Sequence, residues 1–262
     1  MFEWMFDTPT FLLGILIVAS FAGVGLGGLW LTRRFILPWL GDLTHAGEFT
    51  GAVHHGILII YGLAVALIAI AVWENFAEAK KIASGEATAL AALYRDSGGY
   101  PEPARSQIRS GIRVYTEQII HEAWPLQRSG QVPTRGVELV DQIQADLLTF
   151  IPTSEAQGIL HAETLRAYNV MVQARRLRLD AVSSSLPAAM WAVVLCGGLI
   201  SLFASFCFDV GNPRLQKLMV ALLAGTMGLL IFMIVLYDCP FRGVHGVSSE
   251  AYELVHDHLM KP

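Results

Sequence analysis

Long apolar runs alternate along the chain with polar, periodic sequence. The runs are Thr10 to Thr32, Gly56 to Trp73, Leu186 to Phe208 and Leu218 to Tyr237. Each is close to the roughly 20 residues a helix needs to cross a ~30 Å hydrocarbon core. A bilayer offers backbone groups no water, so four such runs predict closed helices packed as a bundle. Between Glu74 and Ser185 the pattern takes a helical period. Ile82, Glu86, Leu90 and Leu93 share one face, as do Ile108, Ile112, Tyr115 and Ile119, and then Val140, Ile143, Leu147 and Phe150. Breaks at Ser97-Gly98-Gly99, Pro101 and Pro103, at Pro125, Gly130 and Pro133, and at Pro152 to Ser154 divide this stretch into about four helices. Thr153 or Ser154 is the cap expected for the last, which runs through Leu160, Tyr168 and Met171 to the basic cluster Arg175-Arg176-x-Arg178 and yields near Ser183 to Pro187. The pattern therefore predicts an all-α membrane protein. Residues 1–73 carry spans one and two, 74–185 a helical extramembrane domain, 186–237 spans three and four, and 238–262 a C-terminal segment.

Composition supports this reading, with 54% hydrophobic residues, 15% charged residues and a mean hydropathy of +0.50. Trp4, Trp30, Trp39, Trp73 and Trp191 fall near span ends, where amphipathic rings favour the headgroup level; Trp124 alone lies in the insert. The net charge of -4 comes with acids and bases interspersed, which excludes a nucleic-acid partner. Glu3 and Asp7 stand where a secretory signal would be basic, so the first run is expected to be a retained span. Four spans put both termini and the insert on one side. Arg33, Arg34, Arg214 and Lys217 draw the short loops to the cytoplasm, whereas Lys80, Lys81, Arg175, Arg176 and Arg178 draw the insert there, so the orientation stays open.

Several motifs invite chemistry. Gly23-x-Gly25-x-x-Gly28 has the dinucleotide fingerprint but follows no strand, so no cofactor is expected from it. Ala19, Gly23 and Gly27, and Gly197, Ser201 and Ser205, have the spacing that lets membrane helices approach closely. His54-His55 and His256-x-His258 lack ligand spacing, and Cys196, Cys207 and Cys239 form no CxxC, so neither metal nor disulfide is indicated. Arg105, Arg109 and Arg113, continued by Glu117, form a four-spaced stripe that reads first as a solvated, ion-paired helix face and second as an anion-attracting vestibule. Glu86 sits among apolar neighbours and is expected to form a salt bridge or hydrogen bond with an arginine on a neighbouring helix, ahead of a catalytic or ion-binding role; with Glu74 and Asp238, which stand at span ends, it belongs to the structural or ion-pathway charges. No nucleophile, base and orienting residue assemble into a catalytic set, so an enzyme is not expected.

Three stretches carry a resemblance: AVWENFAEAKKIASGEATALAALY from Ala71, YTEQIIHEAWP from Tyr115, and LYDCPFRGVHGVS from Leu236. Their most specific piece is Asp-x-Pro-Phe-x-Gly at Asp238, Pro240, Phe241 and Gly243. Together they resemble the bestrophin-like family of bacterial membrane proteins over nearly the whole chain. The resemblance implies a multi-pass protein of the bacterial inner membrane. Bestrophins proper are pentameric channels conducting mainly anions, which implies a homo-oligomeric ring, inorganic ions as the permeating partners, and a pore lined by the second span. The second span, IIYGLAVALIAIAVW, departs from bestrophins in lacking their aromatic neck pattern.

One face of that span reads Ile57, Ile60, Ala64, Leu67 and Ala71, with no charge before Glu74. It is the candidate pore lining, since an apolar ring can gate by dewetting. The alternative is a non-conducting membrane scaffold or sensor whose insert binds a partner or small ligand, the spans serving as a lipid anchor.

Overall fold

The computed structural model describes residues 8–40, 47–207 and 212–261. Trp4 and Phe208 lie outside them, as does the side chain of Trp39. Every regular element among the described residues is helical. In chain order these are α1 (Thr10–Leu31), prolonged through Thr32–Ile36 and Leu37–Leu40; α2 (Gly47–Asp96); α3 (Ala104–Gln118), prolonged through Ile119–Ala123 and Trp124–Arg128; α4 (Gly136–Thr149); α5 (Glu155–Val182); α6 (Ala188–Phe206); α7 (Pro213–Tyr237); and α8 (Glu250–Val255), prolonged by His256–Met260.

Four helical segments are long and apolar enough to cross a membrane: Thr10–Ile36, Gly51–Gly99, Ala188–Phe206 and Pro213–Tyr237. The last begins earlier than its apolar run because its start is capped. The Asn212 side chain accepts hydrogen bonds from the Arg214 and Leu215 amides at 3.0 and 3.4 Å, and Pro213 occupies a first-turn position where no amide donor is needed.

The chain forms two compact units, Met1–Glu74 with Leu186–Asp238, and Asn75–Ser185 with Cys239–Pro262. In the first, Leu13, Ile17 and Leu29 of α1 join Val65 and Val72 of α2, Val194 and Leu202 of α6, and Val220, Ala224 and Ile231 of α7 in one core. Large apolar side chains such as Phe11, Ile59, Leu199 and Leu229 point outward. A bundle whose solvent is lipid requires such an apolar exterior.

The small residues that let α1 pack are not those the four-residue spacing picked out. Ala19, Gly23 and Gly27 are exposed, with open space around both glycines. The close approaches are at Gly25 and Gly28: a Cβ on the first would lie 2.9 Å from the Ala224 Cβ, and on the second 2.7 Å from the Phe206 ring. On α7, a Cβ on Gly228 would lie 3.0 Å from the Val18 Cα. Helix α1 is apolar on all sides, so its sequence carries no signal for which face turns inward. In α6 the reading agrees with the structure. Gly197 abuts the Tyr61 ring, whose hydroxyl donates to the Val194 carbonyl at 3.1 Å, and Ser201 and Ser205 are buried.

The second unit gathers the C-terminal half of α2, α3, α4, α5 and the chain beyond Cys239. Its core is built from the periodic positions: Leu90 and Leu93, Ile108, Ile112 and Tyr115, Ile143 and Leu147, Tyr168 and Met171. Ser154 caps α5, accepting from the Gln157 amide at 3.3 Å. Pro125, expected as a break, does not end its helix. The preceding turn Ile119–Ala123 is widened, with the Trp124 amide bonded to the Ile119 carbonyl five residues back. That width accommodates a ring that would otherwise clash with the carbonyl four residues earlier. The same arrangement recurs in Thr32–Ile36, two residues before Pro38.

Candidate functional site

The predicted pore face flanks the buried stripe of α2, roughly a third of a turn around the helix from it. Tyr61, Val65, Ala69 and Val72, spaced by four, four and three residues, enter the core of the first unit. Ile60 and Leu67 are 73% and 60% exposed, Ala71 is exposed, and Ile57 and Ala64 are half-buried. Glu74, which follows this face, is exposed. The unit's own packing thus consumes one side of α2 and leaves an uncharged apolar strip, exposed at Ile60, Leu67 and Ala71, beside it.

Glu86 lies on the next stretch of the same helix, in the second unit, and is fully buried. Its carboxylate accepts from Arg178 Nε at 2.6 Å and Nη2 at 3.2 Å, from the Tyr115 hydroxyl at 2.8 Å and from the Tyr252 hydroxyl at 3.1 Å. Each carboxylate oxygen therefore has two donors, and four separate stretches of chain meet at one charge. The Arg178 guanidinium also lies 5.7 Å from the Trp124 ring and 5.9 Å from the Tyr252 ring, within cation–π range. Burial works against the Arg178 charge, yet the Glu86 carboxylate together with the Tyr252 and Tyr115 hydroxyls outweighs it and raises the guanidinium pKa. Both tyrosine hydroxyls are pushed well above their usual range, first by burial and then by the Glu86 charge. A carboxylate so fully engaged presents no free lone pair to a substrate. Its chemistry here is that of a buried ion pair holding helices together.

Asp238 closes α7 and accepts from the Leu186 amide at 2.6 Å and the Trp191 indole at 3.3 Å, tying the end of that helix to the entry of α6. The chain then turns sharply. The Arg242 amide donates to the Cys239 carbonyl at 3.1 Å, the Val247 amide to the Pro240 carbonyl at 2.8 Å, and Gly243 has φ +73°, a left-handed conformation that favours glycine. A Cβ on Gly246 would lie 2.8 Å from the Phe241 backbone, which keeps this turn compact. Phe241 is buried 5.8 Å from the Trp124 ring, and the Trp124 indole donates to the Val247 carbonyl at 3.0 Å. The Asp-x-Pro-Phe-x-Gly stretch is thus a helix stop, a turn and a core anchor in six residues.

A model of the bestrophin-like domain matches residues 19–252. The chain belongs to the bestrophin-like family. No curated protein and no solved structure matches it.

Other residues of this bestrophin-like chain fall less simply. Of the arginine stripe, Arg105 pairs with Glu102 at 2.7 Å, but Arg109 lies over the Tyr94 ring at 4.7 Å. His256 bridges Glu117 and Asp257 at 3.3 and 3.2 Å, and no group of three or more metal-ligating side chains occurs among the described residues. Tyr252 is fully buried, whereas Leu254 is 53% exposed. The two residues are two apart on a helix and so diverge. Sequence reasoning missed Arg178 as the partner of Glu86. The signal was present: on α5 the buried residues are Thr164, Tyr168, Met171, Arg178 and Val182, so Arg178 lies in the apolar stripe and not with Arg175 and Arg176 outside it.

Proposed function

We propose that the chain is one subunit of a homo-oligomeric ion channel in the bacterial plasma membrane, with inorganic anions among the permeating ions and α2 lining the pore. Membership of the bestrophin-like family supports this reading. The observation that carries it is the strip of Ile57, Ile60, Ala64, Leu67 and Ala71, of which the subunit's own core leaves Ile60, Leu67 and Ala71 exposed and Ile57 and Ala64 half-buried. Arranged around an axis, in a pentamer or another closed ring, such strips form an apolar constriction able to gate by dewetting. Glu74 would then stand at its mouth. The helical unit built around Glu86 is, on this reading, extramembrane.

Purified protein in liposomes should pass ions, and Ile60→Ser or Leu67→Ser should raise the flux several-fold, because a polar side chain wets the constriction. Flux insensitive to both changes removes α2 from the pore. If the wild type and both variants stay silent across several ions while remaining folded oligomers, the protein is a membrane scaffold or sensor instead. The topology has its own expected result: reporter fusions near Arg128 and after Pro262 report the same side of the membrane, because an even number of spans, the third and the fourth, lies between them. Opposite sides would reject the four-span arrangement.

A further inference from the structure

The second unit carries a half-open pocket of about 480 Å³ that the conduction reading does not use. It has the size of small-molecule sites, which run to roughly 300–1,000 Å³. Three stretches of chain line it: Tyr94 near the end of α2, Glu102 with residues 105–113 of α3, and Leu259 and Lys261 at the end of α8 and just beyond it. Its basic lining groups are Arg105, Arg109, Arg113 and Lys261, against the single acid Glu102.

The positive charge is only partly compensated. Arg105 is held by Glu102 at 2.7 Å and Lys261 by Asp257 at 2.9 Å. Arg109 and Arg113 follow at successive four-residue intervals, where like charges oppose helix formation. Both have a buried Nε–H with no hydrogen-bond acceptor. Such donors are costly to leave unmatched. The Arg109 guanidinium lies over the Tyr94 ring, and a Cβ on Gly98 would lie 2.5 Å from its Nη2, so a side chain at that position would displace the guanidinium. The Ser110 hydroxyl lines the same wall.

We propose that this pocket binds a phosphate-bearing ligand, with Arg109 and Arg113 as the principal contacts. Planar guanidinium forks match tetrahedral phosphate oxygens in pairs, and serine hydroxyls supply the neutral donors such sites use. The Tyr94 ring and Leu259 give one apolar wall to the uncharged part of the ligand. Glu102 sets the affinity, because its carboxylate competes for Arg105. Ser106 and Arg105 hold the Glu102 carboxyl below its usual range, so that competition extends into mildly acidic solution. The phosphate could be free in solution or part of a lipid headgroup, and the site is independent of whether the protein conducts.

The test uses the full chain, in detergent and in nanodiscs. Calorimetry with inorganic phosphate and pyrophosphate in detergent, at matched ionic strength and with malonate as control, should show saturable binding of a phosphate probe. Arg109→Ala or Arg113→Ala should weaken it roughly tenfold or more, as expected for a lost charge-assisted pair of bonds. Glu102→Gln should tighten it, a gain that a folding defect cannot produce. Native mass spectrometry from phosphatidylcholine nanodiscs with and without phosphatidic acid supplies the second arm. If phosphatidic acid is retained by the wild type and lost from the arginine variants while the soluble probes stay unbound, the phosphate is a lipid headgroup. The proposal is overturned if neither source binds, if malonate binds as well as pyrophosphate, or if the three substitutions leave binding unchanged.

Discussion

Glu86→Ala is expected to lower the stability of the protein by about 3–5 kcal/mol, the usual cost of stranding one partner of a buried ion pair. The change removes a carboxylate that four donors share and leaves Arg178 buried among aromatic rings with its charge unmatched. In a thermal melt followed in detergent the midpoint should fall by on the order of 10 °C, at ~2–4 °C per kcal/mol for a chain of this size. Glu86→Gln should fall less, since it retains acceptors for the tyrosine hydroxyls. The exposed pair of Arg135 and Glu122, 2.7 Å apart, supplies the contrast: Glu122→Ala should change stability by less than ~1 kcal/mol. A second comparison separates charge from packing. Glu86→Leu combined with Arg178→Met should recover most of what either substitution loses alone, because the penalty is an uncompensated charge and not a lost attraction. A melt of Glu86→Ala within about 2 °C of wild type, equivalent to under ~1 kcal/mol, would show that the ion pair contributes little.

The ease of reading this chain varied with how strongly each segment is amphipathic. The helices of the second unit have one apolar face each, so Leu90 and Leu93, Ile112 and Tyr115, and Ile143 and Leu147 could be assigned to the core by spacing alone. The apolar spans could be located but not oriented. Their sides are equally hydrophobic, and Gly25 was therefore indistinguishable from Gly23 before α1 was set against Ala224. Pro125 misled because a proline marks a break only if the backbone cannot widen a turn, and here it does. The need for a partner at Glu86 followed from burial. Its identity was only partly legible: the spacing on α5 sets Arg178 in that helix's apolar stripe, but Arg178 sits 92 residues away and Tyr252 166 residues away, and a single sequence carries no record of which such residues meet. The cationic pocket was half visible. The arginine spacing indicated a charged stripe, but Lys261 and Tyr94 complete the lining only through the fold.

The same buried cluster should make the protein fragile in alkali. Tyr115 and Tyr252 are neutral when folded, and burial, followed by the neighbouring Glu86 charge, lifts both hydroxyls well above their usual value, with Arg178 opposing only in part. An unfolded tyrosine loses its proton near pH ~10. Between that pH and the higher folded values the unfolded chain therefore binds fewer protons than the native one, so stability falls as pH rises. The contribution of the cluster is fully present below pH ~10 and is lost above it, at up to about 1.4 kcal/mol per pH unit for each tyrosine. Tyr100 and Tyr168 are raised as well, chiefly by burial, and add a background slope that does not involve Glu86. Melting curves taken from pH 8 to 12 should therefore steepen past about pH 10 in the wild type. Tyr252→Phe and Tyr115→Phe should each start lower at pH 8, having lost a hydrogen bond to a charged group worth ~1.5–3 kcal/mol, yet decline less steeply, so that their curves converge on the wild type as pH rises. Parallel curves at every pH would mean that ionisation of these two hydroxyls does not limit alkaline stability, and that the cluster contributes only through its packing and its ion pair.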